Sequence, residues 1–281
     1  MTSIVIPAHN EARVVGRLLD ALLADPCEDE TDIVVVCNGC TDDTAHIAAA
    51  RAPRVRVVEI PVPSKHAALR AGDDHARGFP RLYVDADVVI SGADVRALTE
   101  PLADEASGIL ATGPERRIPL ADCAWRVRAY YQVWQRLPAV REGLFGRGVI
   151  AVSKAGHARI AALPPLMADD LAASLAFAPR ERLVVGTANV VIHPPRTWRD
   201  LIKRRIRAAV STAQVERQQG GQQAPRTSKS DLKTLLRREP RLFTGVVVFV
   251  AAAVAARRGA RKAIRAQDFG TWLRDESSRQ N

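Results

Sequence analysis

The strongest constraint on the fold is the regular alternation of short β-rich runs with longer helical patterns over the first 90 residues. This is the rhythm of βαβ units, and it predicts a parallel sheet covered by helices. Ligands of such sheets bind beyond the carboxyl ends of the strands, so we expect a site at the strand tips. The predicted strands are Ser3–Ile6, Ile33–Val36, Val55–Ile60 and Arg81–Val84, and the predicted helices are Glu11–Ala24, Asp42–Ala52 and Ser64–Ala76.

The pattern is less regular after residue 90. Leu120–Arg136 has the pattern of a helix, a further helix begins near Asp169, and Pro194-Pro195 ends the last strand-like run. We therefore place the end of the core near residue 195. The predicted strands here are Arg182–Gly186 and Asn189–Ile192. The predicted catalytic domain comprises residues 1–195, with a donor half at 1–90 and an acceptor half at 91–195. The predicted basic helical extension comprises residues 196–281, with a Gln/Gly/Ser-rich linker at 218–230 and an apolar helix at 242–256.

Charge is spread unevenly along the chain, whose net charge is +10. Residues 1–195 contain 21 Lys and Arg against 24 Asp and Glu, whereas residues 196–281 contain 20 against 7. Such a basic region can meet nucleic acid, anionic lipid headgroups or a phosphorylated acceptor, and charge by itself does not choose among them.

The apolar run Leu242–Ala256 lies between Arg241 and Arg257-Arg258. A helix of this length covers about 22 Å, less than the hydrocarbon core of roughly 30 Å. An interfacial helix therefore fits better than a crossing, with a buried core helix as the alternative. We expect this tail to meet an anionic membrane surface, and we expect no nucleic acid as a partner.

The amino terminus is strand-like from Thr2 onwards and lacks the pattern of a signal peptide. The sequence thus predicts a cytoplasmic protein that is peripheral at the inner face of the cell membrane. Its four cysteines do not make a credible disulfide framework for a chain of this size. Cys37-x-x-Cys40 has no second pair nearby, so we interpret it as two small loop residues instead of a zinc or redox motif. The other two cysteines are Cys27 and Cys123.

Polar side chains follow three of the predicted strands. The first strand leads into His9-Asn10-Glu11, and the second leads into Cys37–Thr44, where Gly39 permits a tight turn. The fourth leads into Asp85-Ala86-Asp87, whose carboxylates suit Mg²⁺ or Mn²⁺, ions that usually also bind substrate phosphates. The alternative is that these aspartates merely end a strand.

The motifs in their combination and order resemble the inverting glycosyltransferase family two of bacterial cell-envelope or exopolysaccharide type, over roughly residues 2–207. The resemblance implies an α/β GT-A fold, which is a Rossmann-like, mostly parallel sheet flanked by helices, here with a basic helical tail. One departure is that Cys37 and Asn38 replace paired acids of the family. The motifs that carry the resemblance are IPAHNE at Ile6–Glu11, CNGCTDDT at Cys37–Thr44, SKHAAL at Ser64–Leu69, Asp85-Ala86-Asp87 and MADDL at Met167–Leu171.

The resemblance also implies roles for particular residues. Asp85 and Asp87 would hold Mn²⁺ or Mg²⁺, with His193 as a further metal ligand or a structural residue. Asp170 would be the catalytic base with Asp169 beside it, although both also suit a helix N-cap. The implied donor-binding residues are Pro7, Ala8, His9, Asn10, Glu11, Asn38, Lys65, Asp85 and Ala86, and the implied acceptor residues are Gly146, Arg147 and Gly148, for which a plain turn is the alternative.

The function implied is transfer of a sugar, with inversion, from a UDP- or GDP-sugar to an acceptor hydroxyl on a glycan or lipid-linked molecule. One alternative is a nucleotidyltransferase, which would normally carry a Gly-rich phosphate loop after its first strand. Another is a non-catalytic protein that binds a nucleotide sugar or nucleic acid. The presence of Asp85, Asp87 and Asp170 together argues against a degenerate domain.

Overall fold

The computed structural model describes residues 1–24, 31–163, 169–218 and 227–265. The described residues form two compact units. The first comprises Met1–Arg117 and Leu144–Ile192, and the second comprises Ile118–Gly143 and the described part of His193–Asn281. The strands are β1 Thr2–Ala8, β2 Thr31–Asn38, β3 Val55–Ile60, β4 Arg81–Val84, β5 Val88–Val89, β6 Ala111–Arg117, β7 Val149–Val152 and β8 Arg182–Ile192. The α-helices are α1 Val15–Leu23, α2 Thr44–Ala49, α3 Lys65–His75, α4 Gly92–Ala103, α5 Trp125–Trp134, α6 Pro138–Glu142, α7 Lys154–Ala161, α8 Asp169–Leu175, α9 Trp198–Gln218, α10 Lys229–Arg238 and α11 Phe243–Arg265.

All eight strands form one sheet in the first unit, in the order β3-β2-β1-β4-β7-β6-β8-β5. The half built from β1 to β4 is parallel, in agreement with the βαβ pattern. β1 and β2 are buried along nearly their whole length, as continuous apolar runs in a parallel sheet should be. Helices α1, α2 and α4 pack on one face of the sheet, and α3 packs on the other.

The remaining half of the sheet is mixed. β7 pairs antiparallel with β4 and β6, whereas β6 pairs parallel with β8. The two strands predicted between residues 182 and 192 are a single strand, so that prediction was wrong in number. A register shift after Pro114 carries the pairing from Val185 to Asn189, and this irregularity interrupts the apolar pattern that suggested two strands.

Helix α1 begins later than the predicted start at Glu11. Asn10 adopts a left-handed conformation, with φ of 53°. The backbone N–H groups of Glu11 and Ala12 are already used by side chains from the second strand tip, so regular helix starts only at Val15. The predicted start of α3 is confirmed, because Ser64 caps it by accepting a hydrogen bond from Ala67 N at 3.2 Å.

The second unit is helical and has a core of its own. Tyr130 of α5 stacks on Phe249 of α11 with ring centroids 5.3 Å apart, and Leu201 of α9 is fully buried. A boundary near residue 195 would leave residues 118–143 with the sheet. The structure instead groups them with the C-terminal helices, because the apolar face of α5 packs against α9 and α11.

The predicted linker at 218–230 is shorter than expected at its C-terminal side. α10 begins at Lys229, and Ser228 and Asp231 form a reciprocal capping box with each other's backbone N–H. Residues 219–226 lie outside the described part of the chain. The apolar run at 242–256 belongs to a longer helix, α11, which continues through the arginines to Arg265. By length and composition, Pro240–Arg265 could cross a membrane, and 39% of its most apolar window is buried within the protein.

Candidate active site

The tips of β1 and β2 are tied together by hydrogen bonds. Asn10 Oδ1 accepts from Thr41 N at 2.8 Å, and Glu11 N donates to Thr44 Oγ1 at 2.8 Å. Ala12 N donates to Asp42 Oδ2 at 3.1 Å. Burial opposes ionisation of Asp42, but hydrogen bonds from Thr44 and the backbone N–H of Ala12 outweigh it, and the pKa of Asp42 is lowered. The polar residues of both motifs thus fix one another's geometry.

Asn38, predicted to bind the donor, is 4% exposed. With the amide oriented to satisfy both of its neighbours, the Asn38 side chain donates to Ala8 O at 2.6 Å and accepts from Ser64 N at 3.2 Å. His9 Nδ1 lies 2.6 Å from the backbone carbonyl oxygen of Asn38. Asn38 therefore links β1, β2 and the start of α3. This side chain has a structural role at a position where the resembled family has an acidic residue.

Of the two cysteines at this strand tip, Cys37 is buried and Cys40 is half-buried. Burial raises the pKa of the Cys37 thiol to about 12, and Cys40 Sγ donates to Ala8 O at 3.3 Å. A thiol with so high a pKa is almost wholly protonated at neutral pH, and it is a poor metal ligand or nucleophile. Cys123 is a buried free cysteine, and Cys27 lies outside the described residues.

The tip of β4 is a turn and not an extended strand. β4 ends at Val84, and Val88 N donates to Asp85 O at 3.3 Å, so the chain reverses through Ala86 and Asp87. Strand alternation therefore does not describe how Asp85 and Asp87 are placed. Both aspartates are partly exposed, whereas Ala86 is buried.

Lys65 forms an ion pair with Asp85, with Nζ 2.7 Å from Oδ1. Lys65 is the first residue of α3, so the cap at Ser64 fixes where its side chain starts. The side chains of Lys65 and Asp85 are 34% and 37% exposed. The structure thus brings together two residues that the sequence separates by twenty positions and that the family resemblance assigned to donor binding.

Gly148, the residue before β7, supports Asp85. Its carbonyl oxygen accepts from Asp85 N at 2.8 Å, and its φ of +65° is a left-handed conformation that favours glycine. A Cβ at this position would lie 2.5 Å from Val88 Cγ1 and 3.4 Å from Asp85 Oδ2. Only glycine lets β7 approach the aspartate turn this closely.

Arg147 points into the protein and not towards solvent. Its side chain is fully buried, and its guanidinium donates to Pro114 O. Burial lowers the pKa of Arg147 to about 10, against the opposing effect of Glu115. Gly146 and Gly148 on either side both have positive φ. These features favour the interpretation of a structural turn over direct acceptor contact by the arginine.

A cavity of about 100 Å³ adjoins the ion pair, between α3, α7, α8 and the strands β4 and β7. Asp73 and Tyr83 in its lining belong to a polar cluster that the sequence did not predict, because its members are far apart in the chain and belong to none of the motifs. Tyr83 Oη donates to Asp73 Oδ1 at 2.8 Å and lies 2.8 Å from His157 Nδ1. The other lining residues are mostly apolar and include Leu69, Leu144, Ile150, Ile160, Leu163 and Ala173.

Titration of this cluster is shifted by its surroundings. Burial raises the pKa of Tyr83 well above its usual range, and the neighbouring Asp73 acts in the same direction. Burial also lowers the pKa of His157, with Asp73 opposing and Arg81 and Arg70 assisting that shift. Tyr83 and His157 are therefore predominantly neutral at neutral pH.

The remaining predicted residues are placed less fully. Asp169 and Asp170 begin α8, but their side chains lie outside the described part of the structure, as do Met167 and Ala168. His193 follows β8 and belongs to the second unit, where its carbonyl oxygen accepts from Arg204 Nη1 at 3.4 Å. Among the described residues, no three His, Cys, Asp or Glu side chains converge as a metal site. The roles of Asp170 as catalytic base and of His193 as a further metal ligand therefore stay predictions.

The fold and the strand tips define a class, an α/β domain with a Rossmann-like parallel half-sheet and an aspartate pair at the tip of its fourth strand. The family model for Glycosyl transferase family 2 matches residues 3–157, more than half of the chain. The chain belongs to glycosyltransferase family 2, and the predicted family is confirmed.

Two relatives share part of the sequence. The chain is 36% identical over 97 residues to a dolichyl-phosphate beta-glucosyltransferase of Trichomonas vaginalis, covering 31% of this chain and 29% of that protein. It is 32% identical over 117 residues to the undecaprenyl-phosphate 4-deoxy-4-formamido-L-arabinose transferase of Edwardsiella ictaluri, covering 39% and 36%. The chain thus matches only about a third of the length of these relatives.

Solved structures with the same architecture support the predicted GT-A fold, which is confirmed. A mannosyltransferase of Pyrobaculum calidifontis, in complex with GDP-Man and Mn²⁺, has a TM-score of 0.60 at 21% identity, covering 98% of this chain and 81% of that one. The glucosyl-3-phosphoglycerate synthase of Mycobacterium tuberculosis, with Mn²⁺, UDP-Glc and phosphoglyceric acid, has a TM-score of 0.55 at 22% identity, covering 76% and 79%. At such identities the likeness concerns the fold.

Proposed function

We propose that this protein is an inverting glycosyltransferase that moves a sugar from a nucleoside-diphosphate sugar to an acceptor. The observation that carries the proposal is the pairing of Lys65 with Asp85 at the tip of β4, beside a glycine turn that holds the aspartate backbone. In the first unit the same edge of the sheet carries the hydrogen-bonded motifs at the tips of β1 and β2. Family membership supports the same chemistry.

Lys65 and the aspartates provide the charges that a nucleoside diphosphate needs. Carboxylate oxygens are the ligands that Mn²⁺ and Mg²⁺ prefer. The Lys65 ammonium, which is itself a cation, lies 2.7 Å from Asp85 Oδ1, so this carboxylate already pairs with positive charge. Asp85 is therefore proposed to hold a divalent cation with Asp87 as a second carboxylate ligand, and the ion when bound would neutralise the departing diphosphate. Lys65, once released from Asp85, would bind a diphosphate oxygen. His193 is proposed as a further ligand.

Asp170 is proposed as the general base. An ionised carboxylate accepts the proton of the acceptor hydroxyl while the acceptor oxygen forms a bond to the anomeric carbon. The bond from that carbon to the diphosphate oxygen breaks, and the nucleoside diphosphate leaves with the electron pair. Because attack and departure occur on opposite sides of the carbon, the product has inverted configuration.

The acceptor is proposed to be lipid-linked or an envelope glycan, met at the cytoplasmic face of a membrane. The names of the two sequence relatives include dolichyl phosphate and undecaprenyl phosphate. The cavity beside Asp85 has a largely apolar lining, which suits an acceptor with an apolar part near its reactive oxygen.

Thermal unfolding with a panel of UDP-, GDP- and TDP-sugars, with and without Mn²⁺, tests the donor proposal. Ligand binding to the native state raises the melting temperature, so one donor should raise it in a Mn²⁺-dependent manner. That donor is then incubated with the protein and with lipid-phosphate, lipid-linked sugar and glycan acceptors, and nucleoside diphosphate release is measured. Stabilisation without release on any acceptor would favour a non-catalytic binder. Absence of any metal-dependent stabilisation across the panel would contradict the proposal.

A further inference from the structure

The outward face of α11 is apolar over its first turns. Phe243, Val247, Val250 and Val254 are 65%, 54%, 43% and 40% exposed. Their spacing of four, three and four residues keeps them on one side of the helix. These four residues form a continuous line, which we call the apolar stripe. Large apolar side chains exposed in a row, in contrast to single scattered ones, indicate an interaction surface.

The same face becomes basic over the last turns of the helix. Arg257, Arg258, Arg261, Lys262 and Arg265 are all exposed, and we call them the basic patch. Four of them, from Arg258 onwards, line one surface depression. Helix α11 contains no Asp or Glu, so its own sequence provides no acid to neutralise this patch.

The opposite face of α11 is part of the core of the second unit. Phe249 stacks on Tyr130, and Ala252 and Ala256 are buried. At Gly245 an added Cβ would lie only 3.0 Å from Val133 Cγ2 and 3.1 Å from Ala129 O, so the helix approaches α5 closely. Crossing a bilayer as a single span would require α11 to leave these contacts. The packed helix offers only its outward face to a partner.

We propose that the apolar stripe and the basic patch together form a docking surface for an anionic membrane, on which α11 lies along the surface instead of crossing it. The stripe enters the boundary between headgroups and acyl chains, while the cations of the patch bind anionic headgroups. The proposal rests on the contacts and exposure of α11 and does not depend on the glycosyltransferase activity.

A second copy of this chain is the main competing occupant of the apolar stripe. Parallel pairing of two stripes would place two basic patches side by side with no acid on either α11 to balance them, and antiparallel pairing would leave both patches beyond the ends of the paired stripes, without a partner from the other α11. Like charges that face each other oppose association, whereas an anionic lipid surface provides the opposite charge. Charge complementarity therefore favours the membrane.

The test is sedimentation of the full chain with vesicles of phosphatidylcholine, with or without phosphatidylglycerol, at low and high salt. Two variants separate the two parts of the surface. Val247→Ser/Val250→Ser/Val254→Ser replaces three of the four stripe residues at exposed positions, where Ser and Val have similar helix propensities. Arg261→Gln/Lys262→Gln removes two cations of the patch. The matched controls lie in the first unit: exposed Val62→Ser for the stripe, and Lys154→Gln/Arg180→Gln for the same loss of charge.

The parent chain should bind the anionic vesicles, and high salt should weaken that binding. Each lost cation should weaken binding about fivefold, so the double patch variant should bind about 25-fold more weakly. The stripe variant should lose the binding that survives at high salt. Both controls should bind as the parent does, and all variants should keep its melting temperature.

Three results would overturn the proposal. One is a parent chain that ignores anionic vesicles at every salt concentration. Another is a patch variant that binds no more weakly than Lys154→Gln/Arg180→Gln. The third is a concentration-dependent dimer, measured by analytical ultracentrifugation, that the stripe variant abolishes while vesicle binding is unchanged, because that result would make a second copy the occupant.

Discussion

Two strand-tip regions of the sheet contain similar residue types but use them differently. At the tips of β1 and β2, the polar groups of Asn10, Asn38 and Asp42 bond to neighbouring backbone. At the tip of β4, the Asp85 carboxylate pairs with a partly exposed lysine beside a cavity. The first region holds the sheet ends in place, and the second offers charge to a ligand. Substitutions should therefore cost stability at the first region and function at the second.

The largest effect on function is expected outside both strand-tip regions, at the start of α8. Asp170→Asn should lower kcat by about 10² to 10⁴, because the amide keeps the shape of the side chain but cannot accept a proton. Donor affinity should be unchanged, as measured by calorimetry. Asp169→Asn is the neighbouring control. If Asp169→Asn is the inactive variant and Asp170→Asn turns over normally, the base lies one residue earlier.

Asp87→Ala tests whether the β4 tip holds a cation for the donor. We expect it to abolish the strengthening of donor binding by Mn²⁺, since one of two proposed carboxylate ligands is lost. Calorimetry of donor binding with and without Mn²⁺ measures this. Asp74→Ala, an exposed carboxylate on α3 with the same change in charge, should respond to Mn²⁺ as the parent does. A full metal response in Asp87→Ala would contradict the assignment of the aspartate pair.

Gly148→Ala tests the support beneath the β4 tip. The left-handed φ and the 2.5 Å approach to Val88 should destabilise the fold by about 1–3 kcal/mol, measured by urea unfolding. Donor binding should weaken too, because Gly148 O holds the Asp85 backbone. Gly186→Ala is the matched control, since a Cβ there meets nothing within 4 Å. Equal stability of the two variants would mean that the turn tolerates a side chain.

The sequence predicted the parallel half of the sheet well, because periodic apolar runs and capping residues are local signals. The family resemblance assigned Lys65, Asp85 and residues at the tips of β1 and β2 to donor binding, and Lys65 and Asp85 lie together in the structure. It did not predict the Asp73–Tyr83–His157 cluster or the buried position of Arg147, since pairing between distant segments leaves no local pattern. The mixed half of the sheet was harder for the same reason, because the register shift in β8 depends on its partner β6.

Asn38→Ala tests the structural side of the comparison. Removing the buried amide leaves Ala8 O and Ser64 N without this partner and should cost about 1–2 kcal/mol of unfolding free energy. Donor affinity should change little at a temperature where the variant is folded. Gln132→Ala, at an exposed amide on α5, is the control for loss of a side chain. If Asn38→Ala is stable but loses donor affinity, this side chain serves the ligand and the division between the two regions is wrong.

The smallest expected effect concerns Asp32, at the amino end of β2 and away from both tips. Burial opposes ionisation of Asp32, but hydrogen bonds from Arg56, Arg77 N and Ser3 outweigh it, so its pKa in the folded protein is lowered. A carboxylate with a lowered folded pKa stabilises the protein above its unfolded pKa of about 3.9, and that stability is lost as pH falls through the folded value. Asp32→Asn should therefore be less stable than the parent by about 1 kcal/mol at pH 7, and the difference should shrink in acid.

Asp20→Asn, which breaks the exposed pair with Arg51, should show almost no change. A gap between Asp32→Asn and the parent that stays constant from neutral to acidic pH would show that the shape of the side chain, and not its charge, provides the stability.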